Sequence, residues 1–472
     1  MTRRALSVLI VSIALLVPTA TLAQWSSDPL VNLAVAAKTD EQAQPKVGTL
    51  PDGSAYVSWF DNDPSGSPPW GYDVFLQYFD STGVAQWGPD GVCIADRGLS
   101  WTTDYGFDVD AAGNALLAFN DDRSGSTQIT VTKVSPAGTQ LWGATGVQVS
   151  SGTDEKYSPE VVATSDGNIA VGWVGTDRKG LGMVFVTKLD ANGGEIWSST
   201  IKAAKGYTYD FSSIAASDSG SVVVTWVRTN TGPLSTRRHL MAQKYSATGH
   251  PVWGKGVVLL DNASLQGGEF PAVLSDGAGG AVIGWYTATT PLESYVQHVS
   301  ADGVELFQHN GLAAATNTND RSEPSFTFDA ATGDIIMVYN ERSANGYGVG
   351  GQRFSPTGAR LWTDSGVTIR PHDWSVTTMW PTVVNSPTGA LVTWIEQVAY
   401  PDSEIYGAKV DATGALVCTG INVTLAPGSK NRIAAVSTPQ GGGIFAWEDG
   451  RTDYNDIFAQ RLGPDCNLGL LP

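Results

Sequence analysis

A turn followed by an aromatic residue recurs along this chain at a nearly constant spacing. In the first copy, Asp80-Ser-Thr-Gly-Val-Ala-Gln-Trp87, the turn glycine is Gly83 and a tryptophan stands four residues later. Further turn glycines follow at intervals of 54 to 56 residues: Gly138, Gly193, Gly249, Gly303, Gly358 and Gly414. The fourth residues after these seven glycines are Trp87, Trp142, Trp197, Trp253, Phe307, Trp362 and Cys418. A fixed period of this size predicts an array of similar supersecondary units.

Each repeat has the pattern of four β-strands. In the third copy the expected strands are Glu160–Thr164, Ile169–Val174, Met183–Leu189 and Glu195–Ala203. The second strand is apolar on both faces, which is typical of a strand packed between two neighbouring sheets. It ends in an aromatic residue in eight copies: Trp59, Phe119, Trp173, Trp226, Trp285, Tyr339, Trp394 and Trp447. A four-stranded sheet that packs copies of itself on both faces is a β-propeller blade, so the sequence predicts an all-β, eight-bladed propeller.

The two ends of the chain predict how the ring closes. The last copy stops at Gly463-Pro-Asp-Cys-Asn467, after its third strand. The missing fourth strand matches the N-terminal segment, since Gln24–Leu33 resembles Gln86–Ile94. We therefore expect residues 24–41 to complete the last blade of a single domain spanning 24–472, with an open solenoid as the alternative.

Two phrases resemble known families. The turn and tryptophan of Asp80–Trp87 are similar to the tryptophan-docking motif of PQQ-type quinoprotein propellers, which implies that the tryptophans form a girdle between blades. The catalytic features of those enzymes, an adjacent cysteine pair or a haem-binding motif, are absent from the sequence. Trp447-Glu-Asp-Gly-Arg451, followed by Asp456-Ile-Phe-Ala-Gln-Arg461, resembles the repeat of secreted bacterial β-propeller proteins and brings no chemistry with it.

The N-terminus and the net charge indicate the compartment and exclude some partners. Residues 1–23 have the basic, apolar and small-residue regions of a secretory signal peptide, with Thr21-Leu22-Ala23 before the cleavage point. We expect a secreted or periplasmic protein that is monomeric. The 472-residue chain carries a net charge of −18, which disfavours nucleic acid and anionic membranes as partners. No segment after the N-terminus is long and apolar enough to span a membrane.

The three cysteines predict one disulfide. Cys418 occupies the girdle-aromatic position of one repeat, and Cys466 occupies the turn-glycine position of the next repeat. An oxidising compartment favours a bond between them. Cys93 lies in an apolar fourth strand and is expected to be a buried free thiol.

The loops are expected to divide between two faces of the disc. The turns between first and second strands and between third and fourth strands are short, whereas the remaining loops are long and irregular. Function usually lies on irregular loops above a rigid scaffold, so the long-loop face is the predicted binding face. The expected ligand is a carbohydrate or a protein surface, held by aromatic and polar side chains. The candidates are Trp70, Trp101, Asp104, Tyr105, Asp373, Trp374, Trp380 and Glu396.

Acidic residues raise two further hypotheses. An acid often stands two residues after the second-strand aromatic, at Asp61, Asp121, Glu341, Glu396 and Asp449. These acids either form a ring of carboxylates at the mouth or hold local arginines such as Arg123, Arg342 and Arg451, and the second interpretation is favoured. The oxygen donors of Asp61, Asp63 and Ser65, followed by Gly66, resemble the start of a calcium loop, although a plain polar turn is the alternative.

Catalytic signatures are missing from the sequence. It contains no nucleophile elbow, no zinc-protease motif and no phosphate-binding loop. The sequence favours a binding protein over an enzyme, with a glycoside hydrolase or polysaccharide lyase that uses mouth carboxylates, or an envelope-assembly scaffold, as alternatives.

Overall fold

Eight four-stranded antiparallel sheets make up the protein. The computed structural model describes residues 24–62, 71–102, 105–232 and 237–469. The strands are β1 (Leu33–Ala36), β2 (Gln42–Thr49), β3 (Ala55–Asn62), β4 (Tyr72–Phe79), β5 (Val92–Ala95), β6 (Gly106–Val109), β7 (Ala115–Asp121), β8 (Gln128–Val134), β9 (Val147–Gln148), β10 (Lys156–Ala163), β11 (Ile169–Thr176), β12 (Gly182–Leu189), β13 (Glu195–Ile201), β14 (Tyr207–Ala216), β15 (Val222–Asn230), β16 (Arg238–Tyr245), β17 (Val257–Leu260), β18 (Ala272–Ser275), β19 (Ala281–Thr287), β20 (Glu293–Val299), β21 (Leu312–Ala313), β22 (Asp320–Asp329), β23 (Asp334–Ser343), β24 (Gly346–Phe354), β25 (Val367–Asp373), β26 (Thr377–Ser386), β27 (Gly389–Gln397), β28 (Glu404–Asp411), β29 (Leu416–Thr424), β30 (Lys430–Ser437), β31 (Gly443–Asp449) and β32 (Asp456–Leu462). A 3-10 turn at Asp218–Gly220 is the one helical element of the described residues.

The sheets form a closed eight-bladed β-propeller, as the repeat predicts. Blades 1 to 7 are β2–β5, β6–β9, β10–β13, β14–β17, β18–β21, β22–β25 and β26–β29, and blade 8 consists of β30, β31, β32 and β1. The first strands of neighbouring blades contact each other around the whole ring, including β30 of blade 8 with β2 of blade 1. The N-terminal strand β1 pairs antiparallel with β32, with Leu33 opposite Ala459, so it closes the ring as expected.

The second strand of each blade is the most deeply buried, and its composition follows from the packing of blades. The residue before its aromatic is small because the next blade lies against it. A Cβ added to Gly172 would come within 2.6 Å of the Phe211 ring in blade 4, and one added to Gly284 within 2.5 Å of the Phe326 ring in blade 6. The alternation of small and large residues in this strand is therefore explained by close packing between neighbouring blades.

The recurring tryptophan joins each blade to the next. The indole nitrogen of Trp87 donates a hydrogen bond to the carbonyl of Pro136 at 2.9 Å, in the turn of blade 2 that contains Gly138. The equivalent bonds run from Trp142 to Ala191, Trp197 to Ala247, Trp253 to Ala301 and Trp362 to Ala412. Each turn glycine has a positive φ and lies against the preceding blade's aromatic, and at all of them except Gly138 an added Cβ would come within 3.0 Å of a neighbouring atom.

A disulfide takes the place of this contact between blades 7 and 8. Cys418 and Cys466 are bonded in the structure, with Cα atoms 6.6 Å apart. The pair occupies the positions that a girdle aromatic and a turn glycine hold elsewhere in the ring. Cys93 is a free cysteine as expected, but the prediction that it is buried is wrong. Its strand β5 is the outermost of blade 1, so one face of the strand meets solvent.

A second set of contacts between blades comes from the third strands. Lys188 donates from Nζ to the carbonyl of Gly220 at 2.5 Å, and Lys244 does so to Gly279 at 2.7 Å. Arg461 of blade 8 reaches the carbonyl of Ser81 in blade 1 at 3.0 Å, which adds a polar link at the closure. Of the described residues, none lies in a helix long and apolar enough to cross a membrane.

Candidate functional site

A β-bulge repeats near the start of the first strand in six blades, at the long-loop end of the central channel. In five of these bulges two residues are unpaired, and the first of the two has a left-handed φ: Gln44 (55°), Ser158 (50°), Glu323 (53°), Trp380 (52°) and Arg432 (48°). Such backbone costs about 1–3 kcal/mol for a residue other than glycine, and it persists where the surroundings enforce it. We call these five residues the mouth ring. Their positions are equivalent, but their side chains differ in size and charge, as expected for a surface that selects a ligand.

Trp380 contacts two other members of the mouth ring, Glu323 and Arg432. The backbone N–H of Trp380 donates to Oε2 of Glu323 at 3.3 Å. The Arg432 guanidinium carbon lies 5.8 Å from the centre of the Trp380 ring, within range of a cation–π interaction. Trp380 is 39% exposed and borders a cavity at the mouth, where a ligand can contact it.

Two cavities meet at this contact. The first, which we call the Glu323 cavity, has a volume of about 450 Å³ and is lined by Asp320, Glu323, Asn340, Tyr347 and Thr377 among others. The second, the Arg432 cavity, has a volume of about 350 Å³ and includes Gln44, Trp380, Arg432 and Glu448. Trp380 borders the Arg432 cavity and Glu323 borders the other, so the two cavities lie on either side of this contact. We call the two cavities together the groove.

The Glu323 cavity presents acceptors that point toward its interior. Glu323 Oε2 accepts from Asn340 Nδ2 at 2.6 Å. Asn340 Oδ1 is buried and has no hydrogen-bond partner among the described residues. Burial raises the pKa of Glu323 above its usual value, although bonds from Trp380 and Asn340 oppose the shift. The wall of this cavity also carries the hydroxyl groups of Ser322, Tyr347 and Thr377, which can exchange hydrogen bonds with the hydroxyls of a ligand.

A further carboxyl lies next to this groove. Burial raises the pKa of Glu269 to about 7, with the Glu323 carboxylate adding to the shift and Arg238 opposing it. The same two carboxylates add to the effect of burial on Tyr286, whose pKa rises to about 12. Glu269 is therefore partly protonated at neutral pH, which is the state a general acid requires.

The structure distributes the candidate binding residues unevenly. Trp374 is 61% exposed, and its ring packs edge-on against Tyr347 at 5.5 Å, on the rim of the Glu323 cavity. Asp373 precedes it at the end of β25 and accepts from the Ser375 N–H at 2.8 Å. Trp101 is exposed, and its neighbour Thr102 borders the Arg432 cavity. Trp70 and Asp104 lie outside the described residues.

Two of the candidates are structural instead. Tyr105 is fully buried and cannot touch a ligand; its hydroxyl donates to the Gln44 carbonyl at 3.0 Å and so supports the mouth ring. Glu396 is held by Arg370 through two bonds, of 3.0 and 3.1 Å, and by Trp394 Nε1 at 2.8 Å. These bonds engage both carboxylate oxygens with donors of the protein, and a binding role for Glu396 stays a prediction.

The repeated acids after the second strand bind local cations, as favoured from the sequence. Asp121 pairs with Arg123 at 2.8 Å, and Asp449 pairs with Arg451 at 2.6 Å. Glu341 departs from expectation, because it pairs with Arg321 and His372 while Arg342 binds Asp320. These contacts support the interpretation that the acids hold local cations.

Of the three candidate calcium ligands, one lies among the described residues. Asp61 is buried, pairs with Lys38 at 3.2 Å and accepts from Trp59 Nε1 at 3.4 Å. Asp63 and Ser65 lie outside the described residues. Within the described ranges, no group of three or more His, Cys, Asp or Glu side chains is arranged to hold a metal ion.

Sequence reasoning missed Gln44, Glu323 and Arg432. A pattern was available, because most members of the mouth ring precede a proline: Gln44-Pro45, Ser158-Pro159, Glu323-Pro324 and Trp380-Pro381. Each proline stands 13 to 15 residues before the aromatic of its second strand. A recurring proline preceded by a variable residue therefore indicates the bulge. The pattern does not show which side chains of the mouth ring contact each other.

Comparison with known proteins supports the fold. The sequence matches no known family model, and a search of curated proteins finds no match. Among solved structures, the chain resembles an ulvan lyase of polysaccharide lyase family 25 bound to -[GlcA(1-4)Rha3S]-, at 12% identity and a TM-score of 0.50 over 84% of this chain and 97% of that chain. An α-L-arabinanase of Penicillium chrysogenum is 13% identical, with a TM-score of 0.42 over 69% of this chain and 98% of that chain. The propeller domain of the Trilobed protease of Pyrococcus furiosus is 9% identical, with a TM-score of 0.42 over 77% and 95%. Likenesses at this level of identity concern the architecture alone.

Proposed function

We propose that this protein binds a carbohydrate chain in the groove formed by the Glu323 and Arg432 cavities on its long-loop face. The exposed ring of Trp380, between two cavities of about 450 and 350 Å³, is the observation that carries the proposal. An aromatic face stacks on the apolar face of a sugar, while flanking polar groups bind its hydroxyls. We base this on the residues of the groove, since likeness of fold does not transfer a ligand.

The groove suits an extended ligand better than a single sugar. The two cavities lie on either side of the Trp380–Glu323 contact, so a chain that crosses Trp380 would reach both. Acceptors predominate on the Glu323 side, and Tyr347 with Trp374 extends the aromatic surface at that end. We place this activity outside the cytoplasm, in keeping with the expected signal peptide.

A glycan array probed with residues 24–472 would identify a ligand, and titration would then test the groove. Trp380→Ala is expected to weaken binding by about 1–3 kcal/mol, as for a truncated aromatic anchor. Tyr400→Ala is the matched control, because Tyr400 is 88% exposed and borders neither cavity. Binding that survives Trp380→Ala unchanged would contradict the proposal, as would the absence of any carbohydrate ligand.

Hydrolysis or elimination of the bound chain is a second candidate function. The raised pKa of Glu269, about 7, beside Glu323 favours it, because it provides a protonated carboxyl near a second acid at neutral pH. Incubation of the array ligand with wild-type protein and with Glu269→Gln distinguishes the two functions. Product release by the wild type but not the variant indicates an enzyme, whereas retention without products indicates a binding protein.

A further inference from the structure

The acids of the Arg432 cavity are already occupied by donors of the protein. Glu41 accepts hydrogen bonds from the Tyr72 hydroxyl and, at 3.2 Å, from Asn455 Nδ2. Glu448 Oε1 accepts from the Gln44 N–H at 2.8 Å and lies 3.4 Å from Arg432 Nε. Burial also raises the pKa of Glu448 above its usual value, although the Gln44 N–H and Arg432 oppose the shift. The cavity is therefore less acidic toward a ligand than its composition indicates.

Arg432 differs from the other arginines near the groove. Arg370 makes two bonds to Glu396, and both Nε and one Nη group of Arg342 bond to Asp320. Arg432 Nε lies 3.4 Å from Oε1 of Glu448, and within the described part of the chain the two Nη groups of Arg432 donate no hydrogen bond. Its side chain is 50% exposed, and Arg432 is one of the residues that line the Arg432 cavity.

The backbone holds this arginine in place. Arg432 has a φ of 48°, imposed by the bulge of β30, and its guanidinium lies against the Trp380 ring at 5.8 Å. An arginine fixed on one side by an aromatic face and a carboxylate has less side-chain entropy to lose on binding. The planar pair of Nη donors matches the geometry of a carboxylate or a sulfate group.

We propose that the carbohydrate bound in this groove carries an anionic group, a carboxylate or a sulfate ester, which Arg432 binds beside the sugar that stacks on Trp380. This inference rests on the proposed carbohydrate-binding function and names the class of its ligand. Uronate-containing and sulfated chains share this chemistry, and neutral chains lack it.

The net charge of −18 opposes an anionic ligand at long range but does not decide the local contact. At physiological ionic strength, charges farther apart than about 8 Å are largely screened. The interaction in the cavity is then governed by Arg432 and its immediate neighbours.

Matched pairs of oligosaccharides test the inference by titration calorimetry. The first pair is oligogalacturonate and the same oligomer with its carboxyl groups methyl-esterified, and the second is a sulfated galactan oligomer and its desulfated form. Wild-type protein is expected to bind the anionic member of at least one pair about tenfold more tightly, as for one charge-assisted bidentate contact. Arg432→Gln should bring the two members within about twofold of each other, while Arg432→Lys retains part of the difference.

Arg178→Gln is the control, because Arg178 is an exposed arginine in the loop between β11 and β12 of blade 3, and it borders neither cavity. It should leave the preference intact. Three results would overturn the inference. They are equal affinity of wild-type protein for both members of each pair, no binding of either anionic oligomer, and a preference for the anionic member that survives Arg432→Gln. If the neutral oligomers bind and Trp380→Ala abolishes their binding, the proposed function stands and only the anionic class is rejected.

Discussion

Replacing Trp362 with alanine tests the blade contacts where they are most complete. Trp362 is 1% exposed, its Nε1 donates to the Ala412 carbonyl at 3.2 Å, and its ring supports Gly414 of the next blade. Truncation of a buried aromatic side chain costs about 3–5 kcal/mol, and the broken hydrogen bond is part of that loss. We expect Trp362→Ala to lower the free energy of unfolding by about 4 kcal/mol.

Urea denaturation followed by circular dichroism measures this effect from the shift of the midpoint. Trp142→Ala should cost less, roughly 2 kcal/mol, because Trp142 is partly exposed, contrary to the burial expected from its girdle position. Trp380→Ala serves as the control outside the girdle and should change stability by less than about 1 kcal/mol. A wild-type midpoint for Trp362→Ala, or a larger loss for Trp380→Ala, would refute the assignment of the girdle as the main contact between blades.

Three further predictions concern the closure of the ring. Asp456 is fully buried, and neither carboxylate oxygen has a hydrogen-bond partner among the described residues. Burial, with Asp453 and Asp449 adding to it, raises the Asp456 pKa to about 7. The folded state then holds this proton more tightly than the unfolded state, so the free energy of unfolding should fall by roughly 2–4 kcal/mol between about pH 4 and 7 and stay low above. Urea melts at pH 5 and 8 should show that Asp456→Asn removes this loss. A variant with the same pH dependence as wild type would contradict the prediction. Replacing both cysteines of the disulfide, which closes a loop of 48 residues, should cost about 2–4 kcal/mol, and a double variant as stable as wild type in the absence of reductant would reject a stabilising role. Deleting residues 24–41 removes β1 and exposes β32, so light scattering should detect aggregation or the melting temperature should fall; a monomer with an unchanged melting curve would count against closure by the N-terminus.

The repeating contacts could be predicted from the sequence because the same physical requirement occurs in every blade. Gly83 and Trp87 each contact a neighbouring blade. Because the turn must lack a side chain where it packs against an aromatic ring, the same sequence motif recurs along the chain. The match between the N-terminal segment and a fourth strand predicted β1 for the same reason.

The candidate site was harder to predict from the sequence because its residues differ from one repeat to the next. Trp380 and Trp374 could be proposed as exposed loop aromatics, whereas Glu323 and Arg432 share only a bulge that positions different side chains at one mouth. Tyr105 was misassigned because its burial depends on Phe60 and Ser58 of another blade, which it contacts. Cys93 was misassigned because an apolar sequence does not show that its strand is the outermost one.

Hydrogen exchange with and without an oligosaccharide ligand tests the central claim most directly, since it maps binding on the unmodified protein. Binding in the groove should slow exchange of the amides around Gln44, Glu323, Trp380 and Arg432, where the first strands begin at the long-loop face. Amides of the short turns on the opposite face, such as Gly53 and Gly167, should exchange as in the free protein. Protection confined to those short turns, with none at the mouth ring, would contradict the assignment of the groove as the carbohydrate-binding site.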